Sequence, residues 1–255
     1  RGVSFIQVPT TIMAQVDSSI GGKVAVNHPL GKNLIGSFHQ PRGVLIDTRT
    51  LRTLPRREVM SGLGEAVKHA IIRDEAFFTF LEDHIESILT LDARDDILTQ
   101  FIAWNCRIKA GVVASDERES GIRAILNYDH TVGHAIETAT GYSRFTHGEA
   151  AMLGMVAAGG IARVMGIFPE KDLDRQNALI SRTGLLCDTD CIDPDIAIDI
   201  MGRDKKVSAG HIRFVLPSRI GHADVYGNVT LEHIREGLKY LFSLTSKMRN
   251  NSTCG

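Results

Sequence analysis

The sequence predicts a short α/β segment over residues 1–50, followed by a mostly helical domain over residues 51–255. Two apolar runs predict the α/β segment: VSFIQV at 3–8 and GVLID at 43–47 are typical of buried strands. Long stretches with helical apolar spacing predict the second domain. An open α/β sheet needs several strands. We therefore expect the neighbours of these two strands upstream of the first residue or in a partner.

The other elements follow from local signals. Pro55 occupies the position expected for a first helical residue, and REVMSGLGEAVKHAII follows it with helical spacing. Between the two strands, the glycine-bearing stretch DSSIGGKVAVNHPLGKN predicts an irregular polar loop. The stretch HIRFVLPSRIGHADVYG alternates in hydrophobicity and carries turn residues, which predicts a hairpin near 212–226. Helical spacing predicts further helices at 74–91, 94–115, 129–140, 148–166, 170–183 and 231–248.

Composition argues against two classes of partner. A formal net charge of −1 gives no global field to attract nucleic acid or an anionic membrane. No apolar run reaches the roughly 18 residues of a membrane span, and the start, RGVSFIQVPTT, does not resemble a signal peptide. No CxxC pair occurs among Cys106, Cys187, Cys191 and Cys254, which favours reduced thiols over a disulfide or a zinc knuckle. We expect a cytoplasmic protein.

The first candidate site combines Glu65 with three histidines. His130 and His134 lie four residues apart in HTVGH and share one face of a helix, and His147 begins the next predicted helix. One carboxylate with two or three imidazoles suits a catalytic zinc that keeps an open position for water or substrate. The alternative is that HxxxH is an ordinary pair on an amphipathic helix.

The second candidate site consists of basic residues beside glycines. GGK and GKN place Lys23, Lys32 and Asn33 where glycine leaves room for phosphate oxygens. The order of residues is not that of a Walker A motif, and a solvated loop with ordinary lysines is the alternative. Further basic residues are scattered along the chain: Lys109, Arg123, Lys205 and Lys206.

Taken together, these motifs resemble a known family. The run VPTTIMAQVDSSIGGKVAVNHPLGKNLIGSFHQP is similar, almost residue for residue, to the pattern of 3-dehydroquinate synthases. So are TLPRREVMSGLGEAVKHAII, KAGVVASDERESGIRAILNYDHTVGHAIE, HGEAAMLGM and DKKVSAGHIRFVLP. The resemblance covers about residues 1–225 and omits the family's glycine-rich nucleotide motif. It implies that 1–50 is the C-terminal remnant of an NAD-binding α/β domain and that 51–255 binds metal and substrate.

The resemblance also implies an activity. Members of this family are lyases of the shikimate pathway, which makes the aromatic amino acids. They convert 3-deoxy-D-arabino-heptulosonate 7-phosphate, a sugar-acid phosphate, to 3-dehydroquinate and phosphate. The cofactors are NAD and one divalent metal, zinc or cobalt, and the assembly is a homodimer. Because the turn that carries the pyrophosphate is missing, we expect this chain to show little activity alone.

The family pattern assigns roles residue by residue. Its metal ligands correspond to Glu65, His130 and His147, and the second histidine, His134, becomes an imidazole beside the substrate phosphate. The other implied catalytic residues are Lys68, Lys109, Arg123, Asn127 and Glu119. The implied substrate-binding residues are Lys23, Asn33, Lys205 and Arg1, which reaches across a dimer interface. The implied cofactor-side residues are Thr10, Thr11, Asp17, Lys23, Lys32, Asn33 and Thr53.

One residue departs from the pattern, and several rival functions stay open. Asp129 stands where the family usually has glycine, and we expect it to cap the helix that carries both histidines; a perturbed metal site is the alternative. Glycerol dehydrogenase-like enzymes lack the carboxylate-binding set. Cyclases that make valiolone or scyllo-inosose should not need Arg123, whereas an amino-dehydroquinate synthase would. A metal-binding fragment that dimerises without turnover is the rival from another class.

Overall fold

The first 50 residues contain two short pairs of strands. The computed structural model describes residues 2–28, 31–119, 121–185, 189–203, 207–208 and 211–252. Strands β1 (Ile6–Gln7) and β4 (Gly43–Val44) pair in parallel. Both predicted strands are therefore present, but the prediction that they are buried is wrong, since Ile6 is 66% exposed and Leu45 is 65% exposed. A two-stranded parallel ribbon cannot cover its own faces, and no other described strand joins it.

The stretch predicted to be an irregular loop is instead an antiparallel hairpin. Strand β2 (Lys23–His28) pairs with β3 (Gly31–Phe38), with Lys23 opposite Phe38. Val26 and Ile35 face each other in this register, and both are 60% exposed. The hairpin forms because its pairing is local and its strands hold β-branched residues. The hydrophobic pattern did not predict this hairpin, because its residues are largely polar and neither of its faces is buried.

Eight helices occupy most of the described chain. They are α1 (Arg56–Arg73), α2 (Glu75–Leu89), α3 (Asp95–Ser115), α4 (His130–Ala139), α5 (His147–Val164), α6 (Glu170–Ser181), α7 (Pro194–Arg203) and α8 (Leu231–Ser252). All the predicted helices are present, and each end lies within four residues of its predicted position. Helix α7 was missed, although Asp193 and Pro194 are a start signal: the Asp193 side chain accepts from the backbone N–H of Ile196.

A three-stranded antiparallel sheet follows α7 and precedes α8 along the chain. It contains β5 (Val207–Ser208), β6 (His211–Arg219) and β7 (His222–Val229), in that order. The last two strands are the hairpin predicted near 212–226. A 3₁₀-helix at Ile122–Asn127 leads into α4 and contacts this sheet. Among the described helices, none has both the length and the apolar character needed to cross a membrane.

Helix α5 forms the centre of the core, and its contact with α1 positions the candidate site. A Cβ atom on Gly148 would stand 1.8 Å from the carbonyl oxygen of Ser61, and one on Gly64 would stand 2.5 Å from the carbonyl oxygen of Gly148. Only glycine allows two helix backbones to approach this closely. The crossing lies next to Glu65 on α1 and His147 on α5, so it brings these two residues together.

Candidate active site

A cleft of about 270 Å³ opens beside the crossing of α1 and α5. Most of its lining side chains are residues that the sequence assigned to a site, although they come from segments far apart in the chain. The lining consists of Asp17, Lys23, Glu65, Lys68, Lys109, Glu119, Arg123, Leu126, Asn127, His130 and His147. The fold therefore places the three candidate metal ligands in a single cleft with some of the candidate anion-binding residues, namely Lys23, Lys68, Lys109, Arg123 and Asn127.

Four assigned residues do not line this cleft. His134 is exposed on α4, and its ring makes an edge contact with Tyr142 at 6.5 Å between centroids. Thr10 and Thr53 are exposed. The hydroxyl of Thr11 accepts a hydrogen bond from the backbone N–H of Ala14, which is a local turn contact.

Other assigned residues fall outside the part of the chain that the structure describes. Arg1 and Lys205 are not described at all. The backbones of Lys32 and Asn33 belong to β3, but their side chains lie outside the description. Their assignment to cofactor and phosphate therefore stays a prediction.

Glu65 is the most buried of the candidate metal ligands. It is 1% exposed, and its Oε1 atom accepts no hydrogen bond from any described residue. The Nε2 atom of His147 lies 3.5 Å from its Oε1 atom. Zinc bonds of about 2.0–2.2 Å in a tetrahedral site separate two ligand atoms by roughly 3.4 Å. A divalent metal fits between these two side chains.

His130 and Asp129 border the same position. The rings of His130 and His147 meet edge to face, with 5.8 Å between their centroids. Glu65, Asp129 and His147 each offer a ligand atom, and these atoms lie within 4.8 Å of one another. No nitrogen of His130 belongs to this tight group. The structure thus brings Glu65 and His147 to metal-ligand spacing, places His130 beside them in the cleft, and adds the unexpected carboxylate of Asp129.

The expectation that Asp129 caps α4 is wrong. Its side chain makes no capping hydrogen bond, because its backbone is helical (φ −91°, ψ −19°) and not in the extended conformation that a cap needs. Its carboxylate is 1% exposed, and Oδ1 lies 3.1 Å from the Lys68 Nζ atom and 3.2 Å from the His130 Nδ1 atom. Asp129 is part of the charge cluster at the cleft.

Lys68 is the buried cation of this cluster. Its Nζ atom lies 2.5 Å from Glu65 Oε2, and its side chain is 3% exposed. Burial disfavours the charged amine, but the carboxylates of Asp129 and Glu65 outweigh it and hold the pKa of Lys68 above its usual value. Burial likewise opposes ionisation of Glu65, but the Lys68 ammonium and the hydrogen bond from His147 together outweigh it and lower the pKa of Glu65. Burial also raises the pKa of Asp129, but Lys68 and His130 outweigh this effect and lower that pKa. Lys68, Glu65 and Asp129 are therefore charged at neutral pH.

Two further cations, Lys109 and Arg123, line the same cleft. The Nζ atom of Lys109 donates to Asp17, at 2.5 Å from Oδ1 and 2.6 Å from the carbonyl oxygen. Arg123 is 2% exposed and donates to the carbonyl oxygens of Gly21 and Glu117, while its Nε atom has no acceptor among the described residues. Gly21 has φ +105°, and a Cβ there would stand 2.7 Å from an Arg123 nitrogen. Glycine is required at that contact.

Glu119, Lys23 and Asn127 form the polar rim of the cleft, and Glu119 contacts the other two residues. It pairs with Lys23 and accepts a hydrogen bond from the Asn127 amide at 3.0 Å. Burial raises the pKa of Glu119, but the hydrogen bonds from Lys23 and Asn127 outweigh this effect, so the net pKa is lowered. Its backbone has φ +58°, which is uncommon for a residue other than glycine and typical of functional sites.

Sequence reasoning missed His69, although a signal was present. His69 lies four residues after Glu65, so both side chains share one face of α1. It is fully buried, and its Nδ1 atom lies 3.1 Å from the side-chain oxygen of Asn105. Burial lowers the pKa of His69 to about 4, which keeps the ring neutral. Its ligand atom lies within 4.8 Å of those of Asp17 and Glu65, which makes a second group of metal-type donors.

The start of α5 is held firmly. Thr146 and Glu149 form a reciprocal capping box, in which the Glu149 carboxylate accepts from the Thr146 backbone N–H at 2.6 Å. Arg57 on α1 donates to both oxygens of Glu149. These contacts hold His147, the first residue of the helix.

The pH dependence of stability should report on His147. Ion pairs with Glu137 and Glu65 raise the pKa of His147 to about 10. A raised pKa means that the protonated form stabilises the fold, fully below pH 6.5 and progressively less as the pH rises through about 10. In metal-free protein we expect the free energy of unfolding, from urea titrations, to fall between these pH values.

A matched pair of variants isolates this effect. His147→Gln should flatten the fall, whereas His222→Gln, in the β6–β7 hairpin, should leave it unchanged. An equal slope in all three proteins would contradict the assignment.

Comparison with known proteins finds relatives over nearly the whole chain. A family model described as 3-dehydroquinate synthase C-terminal matches residues 62–207, and one described as 3-dehydroquinate synthase N-terminal matches residues 1–61. The chain is 50% identical over 238 residues to the 3-dehydroquinate synthase of Nitrosospira multiformis, covering 93% of this chain and 64% of that protein. It is 48% identical to the enzyme of Nostoc punctiforme, covering 94% of this chain and 66% of that protein.

Solved structures show the same fold. A 2-epi-5-epi-valiolone synthase from Streptomyces hygroscopicus, with NAD⁺ and Zn²⁺ bound, matches with a TM-score of 0.87 and 26% identity over 95% of this chain and 67% of that one. A 2-deoxy-scyllo-inosose synthase complexed with carbaglucose-6-phosphate, NAD⁺ and Co²⁺ matches with a TM-score of 0.82 and 34% identity, over 93% of this chain and 68% of that one. These matches confirm the predicted fold class. The chain belongs to the 3-dehydroquinate synthase family.

Proposed function

We propose that this chain is the metal- and substrate-binding part of a 3-dehydroquinate synthase. In this proposal it acts on 3-deoxy-D-arabino-heptulosonate 7-phosphate and yields 3-dehydroquinate and phosphate. The observation that carries the proposal is that one cleft contains Glu65 and His147 at metal-ligand spacing together with the buried cations Lys68, Lys109 and Arg123. A substrate with both a carboxylate and a phosphate needs such separated positive groups.

The chain's own residues would hold the substrate and the metal. Glu65, His130 and His147 would bind a zinc or cobalt ion, as the related structures with Zn²⁺ or Co²⁺ suggest. When bound, NAD and the metal supply hydride transfer and Lewis acidity. Lys109 and Arg123 would bind the substrate carboxylate, because Arg123 is fixed by two backbone carbonyls and keeps its Nε donor available.

The phosphate would lie at the polar rim. Lys23 and Asn127 are both tied to Glu119, which fixes their direction before the anion arrives. Positioning and fixed charges of this kind do most of the work when a flexible substrate must pass through several steps in one site. Further phosphate-binding residues in this proposal are Arg1, Asn33, Lys205 and His134.

The remaining assignments belong to the same proposal. Residues 1–50 form the cofactor-side domain and residues 51–255 the metal and substrate domain, and the assembly is a homodimer in the cytoplasm that serves the shikimate pathway. The carboxylate of Asp17, which holds Lys109, would face the nicotinamide side. Other cofactor-side residues in this proposal are Thr10, Thr11, Lys23, Lys32, Asn33 and Thr53.

Phosphate release tests the proposal. The chain spans 64% of the Nitrosospira relative, and we expect its 255 residues, with added NAD and zinc, to release phosphate from the heptulosonate phosphate at background rate. A chain extended at its N-terminus with the family's nucleotide-binding segment should turn over. In that longer protein, Arg123→Ala should lower kcat/KM at least about 100-fold, since it removes a bidentate carboxylate contact.

A control and a rival substrate complete the assay. Arg235→Ala, on the exposed face of α8, should leave kcat/KM unchanged. An extended protein that ignores the heptulosonate phosphate but uses its amino analogue would favour the amino-dehydroquinate alternative. Robust turnover by the 255-residue chain would contradict the proposed dependence on the longer segment.

A further inference from the structure

Two buried carboxylates stand behind the two histidines of the candidate metal site. Asp129 Oδ1 lies 3.2 Å from the Nδ1 atom of His130, and Glu137 Oε2 lies 3.5 Å from the Nδ1 atom of His147. Asp129 is 1% exposed and Glu137 is 4% exposed. In both pairs the carboxylate meets the same ring nitrogen.

This arrangement decides which nitrogen of each ring can bind a metal. An ionised carboxylate only accepts hydrogen bonds, so the facing Nδ1 atom must carry the proton. When the ring is neutral, Nε2 then holds the lone pair. For His147 that atom lies 3.5 Å from Glu65 Oε1, on the side where the metal fits.

The oxygen atoms show which carboxylates orient and which one binds. Asp129 Oδ1 already has two partners, Lys68 Nζ at 3.1 Å and His130 Nδ1. Glu65 Oε2 also has the Lys68 ammonium beside it, at 2.5 Å from Nζ, but Glu65 Oε1 accepts no hydrogen bond from the described residues and lies 3.5 Å from His147 Nε2. Glu65 therefore has Oε1 to offer to a metal, whereas Asp129 Oδ1 is committed to neighbouring donors.

We propose that Asp129 and Glu137 are positioning residues that hold His130 and His147 as Nδ1–H tautomers, with Nε2 directed to a zinc or cobalt ion. This inference rests on the proposed metal site and adds two residues to it. Carboxylates that accept from the second ring nitrogen of a metal-bound histidine fix the ring and raise its basicity, and their loss weakens metal affinity about 10–100-fold. Neither residue acts on the substrate directly.

Zinc affinity of the 255-residue chain gives the first test. Competition with a chromophoric chelator should show about 10–100-fold weaker binding in Asp129→Asn and in Glu137→Gln than in the unaltered chain. The matched controls Asp92→Asn and Glu58→Gln change exposed carboxylates and should bind zinc normally. Circular dichroism of each variant checks that the helices remain.

Ring-nitrogen spectra give the readout that a purely structural role would not change. In zinc-loaded chain labelled with ¹⁵N-histidine, two-bond proton–nitrogen spectra should show zinc-bound Nε2 and protonated Nδ1 for His130 and His147. Asp129→Asn should disturb this signature at His130 alone, and Glu137→Gln at His147 alone. Zinc-bound Nδ1 atoms, or unchanged affinity in both variants, would overturn the inference.

X-ray absorption separates positioning from ligation. The number of nitrogen and oxygen ligands around zinc should be the same in Asp129→Asn as in the unaltered chain. Loss of one ligand would show that Asp129 binds the metal itself and would overturn its positioning role. Absence of zinc binding in the unaltered chain would overturn the proposed metal site as well, which distinguishes that failure from failure of this inference alone.

Discussion

Replacing Lys68 with methionine should lower the free energy of unfolding of the metal-free protein by about 3–5 kcal/mol. Methionine keeps most of the side-chain volume but removes the only ammonium that the described structure places against both Glu65 and Asp129, which are each 1% exposed. Both carboxylates would then lose the ammonium that they share, and only the protonated His147 ring would remain beside Glu65. Breaking a buried pair in this way is far more costly than losing a surface ion pair. Urea titration at pH 7 in the presence of a chelator measures the change.

Two comparisons make this result specific. Lys239→Met removes an exposed lysine that pairs with Glu236, and it should change stability by less than about 1 kcal/mol. Adding Asp129→Asn to Lys68→Met should recover part of the lost stability, because it removes one of the two stranded charges. If Lys68→Met behaves like Lys239→Met, the buried cluster does not exist as described.

Replacing Gly148 with alanine should destabilise the fold by about 3 kcal/mol or more, at the upper end of what overpacking costs. The added methyl group would stand 1.8 Å from the Ser61 carbonyl oxygen, which belongs to a helix backbone and cannot rotate away. Helices α1 and α5 would have to separate at the crossing. Because Glu65 and His147 lie beside it, zinc affinity should fall together with the melting temperature.

Gly111 offers the matched control for this substitution. It also lies inside a helix, α3, but a Cβ there meets no atom within 4 Å. Gly111→Ala should therefore be neutral or stabilise the protein by up to about 1 kcal/mol, the ordinary gain of alanine over glycine in a helix. Equal destabilisation by both substitutions would contradict the close crossing as the cause.

The sequence was sufficient for elements whose signal is local. The helices from α2 to α6 were predicted because their apolar residues recur at helical spacing, and the β6–β7 hairpin because its residues alternate. The β2–β3 hairpin was missed because neither of its faces is buried, so hydrophobic patterning could not reveal it. The exposure of Ile6 and Leu45 could not be predicted either, since apolar strands are read as buried.

The sequence could identify which residues belong to the candidate site, but not which side chains they contact. Glu65, His130 and His147 could be chosen from motifs, because metal sites use these residue types and the family pattern aligns them. The neighbours of Asp129 could not be chosen, because its pairing with Lys68 depends on how α1 packs beside the start of α4. His69 was within reach of helical spacing from Glu65, whereas its Asn105 partner required the tertiary structure.

The two sides of the cleft differ in how readily they can move, and this difference bears on induced fit. The side near α5 is fixed by the capping box of Thr146 and Glu149 and by Arg57. The polar rim of the cleft, in contrast, rests on Lys23, whose side chain is 50% exposed, and on Glu119, which lies outside any helix or strand. Local opening is easiest where few buried contacts exist. Closure around an anion should therefore be a movement of the rim toward a stationary metal-binding wall.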